Sequence, residues 1–427
     1  MRFLFSKEGD ESAHGIVEEF KKINPNFSYG MSLYRSDLWK YLVQPKRRLF
    51  NYRHFLVLKH LPFYYAERLI RYLPWWMKPF VKLPGLNLNF LIEKEFVGKF
   101  LDLVENVVPP DQEISQQIRA YEPDVVVATL GDLATVPPDQ EYIKAAKFFN
   151  IPSALFVYSW DQLDIRAFIH VLPDALLTWN ESQAEVAEKQ HGIPKEIIRI
   201  AGAPIFDQWF SEESRTSLSR EEFCKKYALR PEDPIIVFFN SSGIVKNEEI
   251  YFAELRSALD RHPDPRMKKI QFVVRPHPKG KPYKMFKYFE EHGVPVFPKD
   301  GALPSRQEDF RLFYDTLYHS IAHVAICSSA SIDGILAGKP GITMLSPRYE
   351  VIQKESPHYK HLMESGAIDV VENPDSFAGA VLRILNGEDR LKENRLAFIK
   401  KYVRPLGLDK SAGEAVAESL EKLWIRN

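Results

Sequence analysis

Within residues 270–344, short uninterrupted apolar runs alternate with helical patterns, and few architectures accommodate that rhythm. Ile270-Gln271-Phe272-Val273-Val274 runs into Arg275-Pro276-His277-Pro278, and His323-Val324-Ala325-Ile326-Cys327 runs into Ser328-Ser329-Ala330-Ser331. Runs this rich in β-branched residues read as strands buried on both faces, the condition of a parallel sheet covered by crossover helices. In an open parallel sheet, ligands sit beyond the carboxyl ends of the strands. Arg275, His277, Ser328, Ser329 and Ser331 therefore belong to a binding rim, and the two strand tips are read as neighbours. Helix patterns follow each motif, so their N-terminal amides also face that rim and favour an anion. The pattern predicts a pocket for a nucleotide mono- or diphosphate donor.

The same rhythm fills most of the chain. Val125 to Leu130 ends in Gly131-Asp132, and Ser153 to Val157 ends in Tyr158-Ser159-Trp160-Asp161-Gln162. Ala175 to Trp179 leads to a helix start at Asn180-Glu181-Ser182, with Gly192 as the helix stop. The polar stretch 211–234 reads as a link. A second series begins at Pro234-Ile235-Ile236-Val237-Phe238-Phe239 and ends in Asn240-Ser241-Ser242-Gly243, a third rim loop with free donors. At 427 residues the chain exceeds one ordinary core. The expectation is an α/β protein of two Rossmann-like lobes with an interlobe cleft. Residues 1–215 form an acceptor lobe, 230–405 a nucleotide-donor lobe, and 406–427 a helix crossing back to the first.

One segment breaks the rhythm. An insertion at about 35–95 contains, within 35–86, eleven Lys and Arg residues against only Asp37 and Glu67, with aromatics such as Trp39, Tyr41, Trp75 and Trp76 interleaved. Such content suits peripheral contact with an anionic lipid surface. The structural alternative is a helical insertion whose aromatics pack on the lobe and whose cations are solvated. Formal net charge is zero and no recognition module is visible, so no nucleic-acid partner is expected. Two cysteines exclude a disulfide framework. The N-terminus lacks a signal-peptide pattern, and no apolar run is long enough to span a bilayer. A cytoplasmic protein, peripheral at the inner face of the membrane, is expected.

Ser159-Trp160-Asp161-Gln162, Trp179-Asn180-Glu181, His191-Gly192-Ile193-Pro194 and Gly202-Ala203-Pro204-Ile205-Phe206-Asp207 together resemble a group of bacterial surface-polysaccharide glycosyltransferases. These are relatives of the CDP-glycerol glycerophosphotransferases and capsule transferases with the GT-B fold. Arg275-Pro276-His277-Pro278 looks like the clan's His-Pro motif, and Ser328-Ser329-Ala330-Ser331 like its Ser-Ser motif. The resemblance spans roughly residues 125–409. It implies that His277, Ser328, Ser329 and Ser331 bind the donor phosphate, and it matches Trp160-Asp161 to the turn that carries the catalytic base. One departure is visible: relatives read Trp-Asp-Asn with a later Lys-Gly, where this chain has Gln162 and Arg166-Ala167.

The chemistry expected of such a transferase assigns Arg275 and His277 to neutralising the departing phosphate. Asn240, Ser241 and Ser242 add donor-side contacts. Asp161, with Asp132 as second choice, takes the acceptor proton. No Asp-x-Asp metal pattern is evident, so metal-independent transfer without a separate cofactor is expected, from a nucleotide-sugar donor to a carbohydrate or lipid-linked acceptor. Structural alternatives stand beside each residue: a strand-end histidine bonded to a carbonyl, serines or Asp161 capping a helix or turn, and a structural Asp132. Two other functions share the lobes. One is a nucleotide-sugar 2-epimerase, against which stands the lack of an acidic Gly-Ser-Gln-Glu-type loop at 328–334. The other is a catalytically silent nucleotide-binding protein.

Overall fold

Every strand pair among the described residues is parallel. The computed structural model describes residues 1–5, 17–18, 20–83, 87–131, 138–166, 168–212, 218–243, 245–277, 283–299, 304 and 307–425. Two units result: Met1–Pro204 with Tyr402–Asn427, and Ile205–Lys401. In the first unit β1 (Arg2–Phe5) pairs with β2 (Ser28–Met31), and β3 (Val126–Thr129), β4 (Ser153–Phe156), β5 (Ala175–Thr178) and β6 (Ile198–Ile200) form a sheet in that order. In the second, β7 (Ile235–Phe239), β8 (Gln271–Arg275), β9 (Ala322–Ala325), β10 (Gly341–Met344) and β11 (Asp369–Val371) form a sheet of order β11-β10-β9-β7-β8.

The apolar runs of the first sheet follow from burial on both faces. Successive strand side chains point to opposite sides. Leu155 and Leu176 meet Ile143 and Ala187, from helices Asp139–Phe148 and Glu181–His191. Ala154, Ala175 and Leu177 instead meet Val416, Leu420 and Leu423 of the C-terminal helix Ala412–Ile425. Their spacing places these three on one helical stripe. Helix Glu181–His191 begins at Asn180, whose side chain accepts from the Gln183 amide, and stops at Gly192, where φ is +67°. That left-handed conformation is the one glycine adopts without a Cβ penalty.

The insertion is a packed part of the first unit. Tyr52 and Phe55, from helix Lys40–Val57, share a core with Leu61, Tyr65 and Leu69. Its central cations are not solvated, contrary to the structural alternative above. Glu105 accepts from Lys46 Nζ at 2.8 Å, Arg47 Nη2 at 2.8 Å and Lys144 Nζ at 3.0 Å. Arg47 Nη1 lies 2.8 Å from Glu141, which also faces Arg35 at 3.3 Å. Burial pushes the Glu105 carboxyl up, but the charges of Arg47, Lys46 and Lys144 more than reverse this and hold it well below the usual carboxylate range. No helix among the described residues is long and apolar enough to cross a membrane.

The second sheet is built around β7, whose five side chains are at most 1 % exposed. Ile236 and Phe238 face helices Glu248–Arg261 and Pro374–Leu385 through Leu255, Phe377 and Val381. On the other side Ile235 meets Phe223 of helix Arg220–Lys226, and Phe239 lies 6.2 Å from Phe313 of helix Gln307–Tyr318. The stretch 211–234 is therefore more than a link: Ser219 and Glu222 form a capping box, and Phe223 and Cys224 enter the core. The sheet order also corrects the expected adjacency of two strand tips, because β7 stands between β8 and β9.

The ion cluster gives a stability test for the first unit. Removing one partner of a buried ion group strands the others without compensation and costs about 3–5 kcal/mol. Glu105→Gln is expected to lower the urea midpoint of this unit by a corresponding amount, measured by circular dichroism. An unchanged midpoint would show that the cluster is energetically neutral.

Candidate functional site

Numbered within the second unit, the strand order is 2-1-3-4-5, and the reversal falls between β7 and β9. Sheets of this order bind ligands at that switch point, outside the carboxyl ends of the strands. Two of the expected loops lie there. Asn240-Ser241-Ser242 follows β7, and Ser328-Ser329 follows β9. The Ser328 hydroxyl reaches across to the Asn240 carbonyl at 3.4 Å, and the Asn240 amide donates to the Arg275 carbonyl at 3.0 Å. The tips of β8, β7 and β9 are thus joined in a row.

The three serines after β9 differ in role. Ser328 and Ser331 are buried. The Ser328 side chain accepts from the Ala330 amide at 3.4 Å, and the Ser331 amide donates to the Ser328 carbonyl at 3.1 Å. Ser329 is exposed at the start of helix Ala330–Leu336 and makes no capping bond. Its hydroxyl is the one of the three that faces solvent. The helix packs low on the sheet because Gly334 leaves room for the His323 ring, with which a Cβ would collide.

The loop after β7 is held from within. Both carboxyl oxygens of Glu248 lie 3.1 Å from the Ser241 amide, and the Asn240 side-chain amide is 3.5 Å from one of them. Burial raises the Glu248 carboxyl to about 8. The Tyr349 hydroxyl sits 2.9 Å from the Lys246 and Asn247 carbonyls and closes the far end of the same loop. Glu248 already occupies the Ser241 amide, so Ser242, half-buried, is the loop serine facing outward.

At the tip of β8, Arg275 is buried with its guanidinium 3.8 Å from the Phe313 ring centroid. Burial lowers it to about 10 despite the Asp333 charge, and burial raises Asp333 to about 7 despite a 2.8 Å bond from Trp209 Nε1. For each group desolvation outweighs the partner's attraction. Arg275 therefore rests the tip of β8 on helix Gln307–Tyr318. His277, two residues on, is half-buried beyond the strand end.

In the first unit Asp161 follows β4. It accepts from the Ser159 hydroxyl, and Arg166 Nη1 lies 3.5 Å from both its oxygens. The next residues, Gln162–Arg166, form a π-helical turn, a geometry frequent at functional sites. Asp164 lies in that turn, buried, and burial together with the Asp161 charge raises it to about 7. Gln162 bridges two strand-end loops: it donates to the Leu130 carbonyl and accepts from the Tyr158 amide at 3.1 Å. Gln183 donates to the Ser159 and Trp160 carbonyls at 3.2 and 3.3 Å. Trp160 and Trp179 are buried. Asp132 lies outside the described residues, as do Pro278 and Ala167. Asp164, Gln183, Glu248 and Asp333 were missed by sequence reasoning. Only the Asp161-x-x-Asp164 spacing offered a signal, since burial sets the character of the others.

No family model matches the chain, and no curated protein matches it in sequence. Solved structures do. The structure of S. aureus MnaA with UDP is similar over 99% of this chain and 96% of that chain, at 13% identity and a TM-score of 0.50. The UDP-GlcNAc 2-epimerase from Neisseria meningitidis bound to UDP-GlcNAc is similar over 99% of this chain and 100% of that chain, at 11% identity and a TM-score of 0.52. With two parallel Rossmann-like sheets, each in its own unit, these likenesses define the fold as GT-B.

Glu248 supplies a pH test. Its folded value of about 8 exceeds the ordinary 4.5, so the native state holds a proton that the unfolded chain releases. This group's contribution to stability is full below pH 4.5 and is lost as pH rises through about 8. The melting temperature of Glu248→Gln, relative to wild type, is expected to rise steadily across that window. A constant difference would show that Glu248 is ionised throughout.

Proposed function

We propose that this chain is a GT-B enzyme that binds a nucleotide-activated donor beside the β7–β9 switch point. It transfers the donor's sugar, or a glycerophosphate-like group, to a surface-polysaccharide or lipid-linked acceptor. The observation that carries this reading is the meeting of the Ser328-Ser329 and Asn240-Ser241-Ser242 loops at the reversal of strand order. The UDP and UDP-GlcNAc held by the two structural neighbours support a nucleotide sugar as the ligand.

In this reading Ser329, Ser242 and His277 contact the phosphate. When the bond to the transferred group breaks, its electron pair stays on the phosphate oxygen, and donors aimed there stabilise the growing charge. Ser328, Ser331, Asn240 and Ser241 shape the two loops, and Arg275 holds the β8 tip. Asp161 accepts the proton of the acceptor hydroxyl as that oxygen attacks. Asp132 is the second candidate. Transfer proceeds without a metal or separate cofactor, so EDTA is expected to leave it unchanged. A cytoplasmic location at the inner membrane face accords with a lipid-linked acceptor.

A second reading has its own support: the Neisseria structure is a 2-epimerase. A panel of UDP-, CMP-, CDP- and GDP-linked donors separates the two. Transfer that requires an added acceptor supports the first. Change of sugar configuration without an acceptor supports the second, and binding without turnover identifies a silent relative.

His277→Ala and Ser329→Ala are each expected to raise the Kd for the bound nucleotide by about tenfold, measured by calorimetry. Asp161→Asn is expected to leave that Kd unchanged and to lower turnover at least about a hundredfold. Normal transfer by both His277→Ala and Asp161→Asn would place the site elsewhere.

A further inference from the structure

Helix Glu95–Val107 is turned with an apolar stripe outward. Phe96, Phe100, Leu103 and Val107 recur at helical spacing and are 61, 60, 58 and 69 % exposed. The opposite side explains the orientation. Glu105 is bound into the buried cluster of Lys46, Arg47 and Lys144, and Gly98 leaves room for the Arg53 guanidinium. Polar contacts pin the inner face, so the phenylalanines have no route into the core.

The chain just before this helix is also exposed and apolar. Trp75, Trp76, Phe80 and Phe90 are exposed, Trp75 at 81 %. The Leu88 amide donates to the Phe80 carbonyl at 2.7 Å, which draws the two ends of this segment together. The charge here has one sign: residues 68–92 contain Arg68, Arg71, Lys78 and Lys82 and no Asp or Glu. Of the acids that follow, Glu93 lies 2.8 Å from Lys59 and Glu95 2.7 Å from Lys99, and the exposed Asp102 feels the charges of Lys46 and Arg53.

We propose that residues 68–107 dock this unit on an anionic bilayer surface, with helix Glu95–Val107 lying in the interfacial plane. Tryptophan beside lysine is the composition that settles at the lipid–water boundary, and the cations complement acidic headgroups. A self-complementary contact between two copies would instead bring the same cationic segments face to face. The docking surface is thus distinct from the most basic part of the insertion, whose Arg35, Lys46 and Arg47 are held in internal ion pairs.

The test is cosedimentation of the full chain with phosphatidylglycerol-containing vesicles and with phosphatidylcholine vesicles. It uses no nucleotide, so its outcome is independent of the reading of the second unit. Binding is expected on the anionic vesicles, falling as salt rises. Lys78→Glu/Lys82→Glu is expected to weaken it at least about tenfold, and Trp75→Ser/Trp76→Ser to abolish it. Quenching of wild-type tryptophan fluorescence by brominated lipid checks the contact without any substitution. Absence of both binding and quenching, or binding indifferent to lipid charge and to both variants, overturns the proposal. So does a solution dimer that Trp75→Ser/Trp76→Ser dissociates while wild type ignores vesicles.

Discussion

The second unit depends on the complete enclosure of β7. Helices cover both faces of this strand, and β8 and β9 pair with its two edges, so every backbone polar group along it is committed to a ladder. A strand in that position tolerates no polar side chain, hence Ile235-Ile236-Val237-Phe238-Phe239. The same centrality fixes where the chain becomes polar. Asn240 and Ser241 emerge at the point where the strand order reverses, the place where sheets of this kind bind ligands. The polar loop and the loop after β9 meet there because the order of strands leaves them nowhere else.

Desolvation recurs as the force that sets the character of the charged groups. Glu248 and Asp333 are raised toward neutral pH by burial, whereas Glu105 is pulled the other way by three cations. The contrast follows from partners. Glu248 meets an amide and a carboxamide, whose dipoles offset only part of the lost hydration. Glu105 meets whole charges at bonding distance. A formal net charge of zero therefore conceals two populations, one neutralised in the interior and one left at the surface.

How much of this was legible in the sequence depends on whether the feature is local. Strands showed as β-branched runs, and the helix at Glu181–His191 showed through Asn180 and Gly192, because capping chemistry lies within a few residues. Strand order was not legible. The β8 and β9 runs look alike from within, and nothing in either states that β7 lies between them. The serines were found as a group, but their division into buried Ser328 and Ser331 and exposed Ser329 follows from how the next helix rests on His323. The basic insertion misled for a similar reason: the partners of Lys46 and Arg47 lie about sixty and ninety residues further along.

The turn after β4 shows how position separates two like residues. Asp161 and Asp164 are three apart, the spacing that puts side chains on one face of a helical turn. Ser159 and Arg166 both donate to Asp161, contacts that suit a carboxylate. Asp164 is buried beside that charge and stays protonated up to about pH 7. The Asp161 charge adds to the burial that raises Asp164. Arg166 bears on Asp161 directly, its Nη1 lying 3.5 Å from Oδ2.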